Sequence, residues 1–185
     1  MAGQKIAEVR LGAPKVGGYG FSAPIGSTRP TAAGTTLDAA YIDLGFISEE
    51  GVEVTTENGT TKIKDWNLDT IAVVQESNEC TIGVTFVQVS PALAKELFGT
   101  ANVVITGTAP ADKVTKIGYT GEILPHKMYA FPMKDGNGDM LIDIGDGQVT
   151  SVSGLKFVKN QVVSFTVTIE CFKDAAGKFF NWHLV

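Results

Sequence analysis

The chain has 185 residues, a formal net charge of −5 and an apolar fraction of 44%. This length suits a single domain, and the apolar fraction is too high for a disordered chain. The acidic balance argues against a protein that binds nucleic acid by neutralising phosphates, because such proteins carry a basic surplus. No apolar run approaches the roughly 20 residues that a membrane-spanning helix needs.

The residue types indicate an all-β fold. Val, Ile and Thr together make up more than a quarter of the chain, and 21 glycines interrupt them. This composition is typical of short strands joined by turns. Cys80 and Cys171 match no zinc-binding spacing, so we expect both to be reduced residues on strands. With only two histidines, His126 and His183, most metal-enzyme and Ser–His sites are difficult to build.

The first 40 residues differ from the rest of the chain. Prolines and glycines interrupt them too often for long regular elements. They nevertheless carry apolar side chains, including Val16, Tyr19 and Phe21, which a solvated linker would not need. We therefore predict an extended arm over residues 1–40, lying in part on a neighbouring subunit, and a single β domain over residues 41–185.

The predicted strands follow from residue 41 onward. They cover 41–47, 52–57, 60–64, 68–76, 80–89, 102–108, 114–123, 126–133, 140–144, 149–158, 161–172 and 178–183. The clearest alternation runs from Val163 to Cys171, where Phe165, Val167 and Ile169 share one face. We expect two packed antiparallel sheets, forming a β-sandwich or barrel.

One short helix is predicted over residues 90–99. Ser90 can cap the free amides, Pro91 suits the first turn, and Gly99 suits the position after the last turn. Leu93 and Leu97 belong to one apolar stripe. Because so short a helix is unstable alone, it must flank a sheet.

A protruding hairpin is predicted around Asn58-Gly59, a dipeptide that favours two-residue turns. The strands that it would join, 52–57 and 60–64, are rich in Thr, Glu and Lys, and they include Lys62 and Lys64. This composition indicates a hairpin that protrudes into solvent and does not belong to the core sheet.

Two further features could form contacts with a partner. The acidic run is either a solvated face or a patch that meets a basic partner; it consists of Glu49, Glu50, Glu53 and Glu57. Trp66 and Trp182 could stack on a ligand, but tryptophans more often anchor a core or an interface.

A possible calcium loop lies at residues 135–146. Four acidic or amide residues fit the positions of a calcium-binding template: Asp135, Asn137, Asp139 and Asp146. Met140 stands where the template requires glycine. The alternative is a Gly/Asn turn with solvated acids. No set of residues resembles a catalytic site, and we predict no cofactor and no metal.

An ordered series of motifs resembles the major tail proteins, or tail tube proteins, of long-tailed phages with non-contractile tails, the kind common among phages of actinobacteria. The series includes Ile63-Lys64-Asp65-Trp66 and His126-Lys127-Met128-Tyr129. The matching segments are 23–32, 37–52, 63–66, 69–71, 97–99, 102–104, 126–136 and 147–150.

The resemblance implies a structural virion protein with the tail-tube fold. Six copies would form a ring whose inner sheets join into one barrel, and stacked rings would conduct the DNA genome during ejection. The hairpin at about residues 48–66 would connect one ring to the next. The partners implied are further copies of the chain, the tape measure protein, the tail terminator, and the baseplate or distal tail proteins. DNA would pass through the lumen without specific binding, and no membrane is involved. Assembly would take place in the host cytoplasm.

Two other classes of protein are compatible with a β-rich chain. A β-barrel enzyme would need convergent ionisable residues in a pocket, and the sequence offers no such set. A β-sandwich capsid decoration or adhesin-type binding module could share the fold, but it would not need a long arm and a polar hairpin.

Overall fold

The computed structural model describes residues 10–14, 19–136, 138–155 and 157–185. Strands dominate this described part of the chain, which also includes one α-helix and one short 3₁₀ turn. The elements, in order, are β1 (Gly20–Pro24), β2 (Ile42–Gly45), β3 (Ile47–Glu57), β4 (Thr60–Lys64), β5 (Thr70–Gln75), β6 (Glu79–Phe86), α1 (Pro91–Phe98), the 3₁₀ turn (Thr100–Asn102), β7 (Val103–Thr106), β8 (Lys113–Ile117), β9 (Lys127–Asp135), β10 (Gly138–Ser153), β11 (Phe165–Cys171) and β12 (Asn181–Leu184).

Among the described residues, eight antiparallel strands form one hydrogen-bonded sheet, and the long strand β10 belongs to both of its packed halves. Its first part, up to Gly147, pairs with β9, and residues 140–143 also pair with β12. From Gly147 to Ser153 it pairs with β11 instead. We call β2-β1-β9-β10-β12 the inner-core sheet and β10-β11-β6-β3 the threonine sheet. The predicted pair of packed antiparallel sheets is confirmed, and the barrel does not close.

The main core lies between these two sheets. Strands β6 and β11 contribute every second residue, as the burial of Ile82, Val84 and Phe86 shows. Tyr129 and Phe131 of β9 belong to the same core cluster. The alternation predicted for residues 163–171 is confirmed over β11. Burial of these apolar side chains is the main source of the stability of the fold.

The other face of the inner-core sheet is also covered. Ala23, Met128, Ala130 and Leu141 are buried there in a second cluster with Ala33 and Tyr41. The segment between β1 and β2 supplies the cover. Because both faces of β9 are buried, Met128–Phe131 shows no apolar–polar alternation.

Helix α1 confirms the sequence prediction. The Ser90 hydroxyl accepts a hydrogen bond from the amide of Leu93 at 3.1 Å, and Pro91 occupies the first turn. Gly99 follows the last turn with a φ of 82°, in the left-handed region. Leu93 and Leu97 are buried in the main core, so the helix is held by the sheets.

A buried carboxylate connects the helix to the inner-core sheet. Glu96 accepts hydrogen bonds from the Ser22 hydroxyl at 3.2 Å and from the Tyr129 hydroxyl at 2.8 Å. Lys127 forms an ion pair with the same carboxylate. A buried carboxylate needs such partners, because an unpaired one would carry a large desolvation cost. Burial, followed by the charge of Glu96, raises the pKa of Tyr129.

The predictions for the arm and for the hairpin need correction. Residues 20–24, which we placed in the arm, form β1 and pair with both β9 and β2. The predicted pairing of 52–57 with 60–64 is wrong, because β3 pairs with β6 and β4 pairs with β5. The reason is that Val52 and Val54 pack against the main core, which binds β3 into the threonine sheet.

Candidate assembly surfaces

The outer face of the threonine sheet is polar and acidic. The register of its four strands places hydroxyl and carboxylate side chains side by side on this face. Its residues are Glu53, Thr55 and Glu57 of β3, Glu79, Thr81, Gly83 and Thr85 of β6, Thr166, Thr168 and Glu170 of β11, and Gln148, Ser151 and Ser153 of β10.

This acidic face contains four glutamates and, among its described residues, no lysine, arginine or aromatic side chain. Its hydroxyl groups are partly satisfied within the sheet, since the Thr85 and Thr166 hydroxyls lie 3.2 Å apart. The Ser153 hydroxyl donates to the Thr166 carbonyl at 3.5 Å. Such a surface repels phosphate groups and offers no platform for stacking bases.

Two edges of the threonine sheet have no strand beside them in the described part of the chain. One edge is the outer side of β3, and the other is the outer side of residues 148–153 in β10. Unpaired strand edges present free amide and carbonyl groups, which another strand can pair with.

A separate two-stranded hairpin, residues 60–75, projects from the end of the threonine sheet. Strands β4 and β5 are exposed along their whole length. They nevertheless carry Ile63, Ile71 and Val73, and Trp66 in the connecting turn is 99% exposed. Isolated hairpins of two strands are marginally stable in water, so an apolar hairpin of this kind needs a partner surface.

An apolar groove of about 410 Å³ lies beside the helix. Phe98 and Phe165, in edge-to-face contact with ring centroids 5.9 Å apart, form part of its lining. Tyr119, Leu155 and Phe157 line it from the flanking loops. All three are exposed, so the groove presents an apolar lining to solvent.

The four glutamates of the predicted acidic run lie in two different parts of β3. Glu53 and Glu57 are on the acidic face, whereas Glu49 and Glu50 lie near the start of β3, where its register with β6 shifts. All four are exposed.

The remaining predicted contact residues are dispersed. Tyr19 packs its ring against Phe46, with 5.2 Å between centroids, and Phe21 is half-buried against the second cluster. Val16 lies outside the described residues. Trp182 of β12 is 56% exposed, far along the chain from the hairpin that carries Trp66.

Asn58 and Gly59 mark the exit from the threonine sheet into the hairpin. The Gly59 carbonyl accepts from the Glu76 amide at 2.8 Å, and the Gly59 amide donates to the Ser77 hydroxyl at 3.2 Å. The Asn58 side chain accepts from Gln75. Lys62 and Lys64 are exposed on β4.

A cluster of ion pairs that the sequence did not predict holds the segment between β1 and β2 against the inner-core sheet. Arg29 forms ion pairs with Asp143 of β10 and with Asp174. Burial lowers the pKa of Arg29, but hydrogen bonds and charges from these two carboxylates outweigh it and raise the pKa overall. The pKa of Asp174 is lowered by the backbone amide of Lys178 first and by Arg29 second.

The candidate calcium ligands do not converge. Asp135 accepts from the Leu11 amide and pairs with Arg10, whereas Asp146 pairs with His126 at 2.6 Å. Asp139 lies near Lys134, and Asn137 is outside the described residues. In the described part of the chain, no three His, Cys, Asp or Glu residues are grouped to hold a metal ion.

The chain is thus a β-sandwich with two unpaired sheet edges, an exposed hairpin that carries apolar side chains, and an apolar groove, which are features that suit assembly with other chains. The family comparison is specific: the model described as phage tail tube protein matches residues 13–184. The chain therefore belongs to the phage tail tube protein family, whose members are structural, non-enzymatic components of the virion tail.

Two solved structures are similar to the chain in fold. The tube-terminating cap of the anti-feeding prophage matches with a TM-score of 0.42 and 10% identity, covering 96% of each chain. The PVC sheath–tube complex, an extracellular contractile injection system in its extended state, matches with a TM-score of 0.41 and 9% identity, covering 99% of this chain and 100% of the other. At these values neither likeness carries an argument about function. No curated protein matches the chain.

The described residues include no helix of the length and apolarity that a membrane crossing requires.

Proposed function

We propose that the chain assembles into hexameric rings that stack into the tail tube of a long, non-contractile phage tail, of the type common among phages of actinobacteria. The tube conducts the DNA genome during ejection. The observation that carries the proposal is the threonine sheet, which combines an acidic outer face with two unpaired edges.

The strand directions of the threonine sheet favour closure into a ring. Neighbouring strands in the order β10-β11-β6-β3 are antiparallel, and their number is even. When a rotation places the β3 edge of one copy beside the β10 edge of the next, these two strands are therefore also antiparallel. Repeating that step closes the sheet into a barrel and pairs both free edges of the threonine sheet.

The acidic face suits the inner wall of such a barrel. Four glutamates per subunit, with no cation between them, repel the phosphates of passing DNA. The opposite face of the sheet packs into the main core, so it is not available to a lumen. The inner-core sheet, covered on both faces, would form the outer layer of the tube wall.

The proposed partners follow from the same geometry. Further copies of the chain bind at the sheet edges and at the ends of the ring. The tape measure protein would occupy the acidic lumen before ejection, and the tail terminator and the baseplate or distal tail proteins would cover the two ends of the tube. Assembly in the host cytoplasm agrees with two buried, free thiols.

Cysteine cross-linking across the sheet edges tests the ring. Thr55→Cys is combined in turn with Gln148→Cys, Thr150→Cys and Ser153→Cys, and each single variant is the control. With a short thiol cross-linker, at least one pair is expected to give a ladder of covalent species ending at the hexamer. Monomers in every pair would overturn the ring and would favour a capsid decoration or adhesin-type module.

A further inference from the structure

The hairpin of residues 60–75 carries exposed apolar side chains on both of its faces, beside the polar residues of β4. Its register places Ile63 and Val74 on one face with Ala72, and Val73 with Ile71 on the other. All these side chains are exposed, as are Trp66 and Leu68 in the turn. A hairpin that lay on a single surface would need only one apolar face, so this hairpin is suited to insertion between surfaces.

The groove beside the helix has the matching chemistry. It measures about 410 Å³, and its lining includes Phe98, Ile117, Tyr119, Leu155, Phe157 and Phe165. These side chains offer an aromatic and aliphatic surface of the kind that holds an inserted tryptophan or leucine. In this structure the hairpin is exposed and none of its residues lines the groove, so the two surfaces do not contact each other within one copy.

The two surfaces lie at opposite ends of the threonine sheet. The hairpin connects the last residue of β3, Glu57, to the first residue of β6, Glu79. The groove is lined by residues at the other end of the sheet: Val89 follows β6, Leu155 follows β10, and Phe165 begins β11. The eight residues of β6 separate the ends by roughly 26 Å.

We propose that the hairpin of one copy inserts into the apolar groove of a copy in the adjacent ring. This inference rests on the proposed function, and it names the surface that receives the hairpin. Because hairpin and groove are different surfaces at opposite ends of one sheet, the contact is head-to-tail and does not close on itself. Repetition along the strand direction therefore extends the tube, whereas the sheet edges close the ring.

Photo-cross-linking in assembled tubes tests the contact. Trp66 is replaced by benzoylphenylalanine in the full-length chain, and tubes are assembled from an equal mixture of ¹⁴N- and ¹⁵N-labelled subunits. Mass spectrometry then identifies the captured peptide and shows, from mixed isotopes, whether it comes from another copy. We expect mixed-isotope cross-links to peptides containing residues 117–119 or 155–165.

Two kinds of result separate this contact from the proposed function. If wild-type tubes form but the cross-links lie within one chain, or join position 66 to another surface of a second copy, the hairpin–groove contact is overturned while the tube stands. If the wild-type chain forms no tubes, both are overturned.

Paired substitutions provide a second readout. Trp66→Ser and Phe157→Ser are each expected to raise the concentration needed for tube formation by about tenfold or more, through the loss of buried aromatic area. Trp66→Phe keeps an aromatic side chain, and Val104→Ser changes an exposed apolar residue of β7 that does not line the groove. Both controls are expected to form tubes as the wild type does, and equal behaviour of all four variants would overturn the contact.

Discussion

The Arg29 guanidinium donates two hydrogen bonds to one oxygen of Asp143, from Nη2 at 2.7 Å and from Nε at 3.1 Å to Oδ2. Asp143 is completely buried in β10, and Arg29 belongs to the segment that covers the inner-core sheet. Asn181 of β12 donates to the same oxygen at 3.3 Å. This carboxylate therefore joins the N-terminal part of the chain to its last strand.

Removing the guanidinium leaves Asp143 buried without its main cation. We expect Arg29→Ala to lower the free energy of unfolding by about 3 kcal/mol, as for other broken buried ion pairs. For a chain of this size that is a loss of roughly 6–12 °C in the melting temperature. Thermal unfolding followed by circular dichroism measures it. Arg29→Lys, which keeps the charge but not the forked geometry, is expected to lose less; an unchanged melting temperature in Arg29→Ala would show that the pair contributes no stability.

The lowered pKa of Asp174 predicts a specific response to acid. Its pKa is below the ordinary value of 3.8 in the folded state, so its ionised form is stabilised by folding. This contribution is complete above about pH 4 and is lost as the pH falls through the folded-state pKa. Asp174→Asn should therefore be less stable than the wild type at pH 7, and the gap should narrow below pH 4. A gap that stays constant from pH 7 to pH 2.5 in chemical unfolding would contradict this.

Deletion of the hairpin separates folding from stacking. Replacing residues 61–74 by a short Gly-Ser linker removes β4 and β5, which are exposed throughout. We expect a folded monomer with native circular dichroism that forms rings but no tubes in negative-stain micrographs. Deletion of residues 52–57 is the matched comparison, because it removes Val52 and Val54 from the core contacts and should prevent folding. Normal tubes from the hairpin deletion would contradict the role of this hairpin in stacking.

The hairpin illustrates how far the sequence could predict the assembly surfaces. The limits of β4 were predicted correctly, since Thr60–Lys64 is bounded by turn residues on both sides. Its partner was not, because Asn58-Gly59 has local turn propensity but Val52 and Val54 gain more by packing in the core. Tertiary burial thus overrode the local turn preference, and no pattern within residues 48–66 records that.

Strand β10 shows a second limit. The sequence predicted two strands, 140–144 and 149–158, where the structure has one strand of 16 residues that changes partner near Gly147. The register shift between Ile144 and Gly147 is a bulge, but a run of glycines and aspartates there is typical of a turn in sequence. By contrast, helix α1 and strand β11 were predictable, since a capped apolar stripe and a strict alternation leave little choice of structure.

The ionic cluster was beyond the reach of sequence patterns. Asp143 lies 114 residues after Arg29, and Asp174 lies 145 residues after it. Single charges at such spacings match no motif. Only the topology, which places the segment after β1 over the inner-core sheet, brings them together. The acidic face was partly predictable, because Glu53 lies between Val52 and Val54 on β3.

The acidic face predicts a charge-dependent effect on DNA passage. Replacing Glu53 and Glu170 by lysine changes the face from four negative charges to two negative and two positive charges. Tubes are expected to form, because these side chains point away from the core, but phage carrying the variant should eject DNA more slowly and less completely. Fluorescence of DNA released on receptor addition measures this. Glu53→Gln with Glu170→Gln is the milder control, and wild-type ejection by the lysine variant would contradict a DNA-facing role.

A cryo-electron microscopy reconstruction of tubes grown from the full chain tests the central claim most directly. The account predicts hollow tubes of stacked hexameric rings, with β3 of one copy beside β10 of the next and with Glu53, Thr81 and Thr168 exposed to the lumen. A chain that stays monomeric at high concentration in the presence of its tail initiator, or a tube whose lumen is lined by another surface, would contradict it.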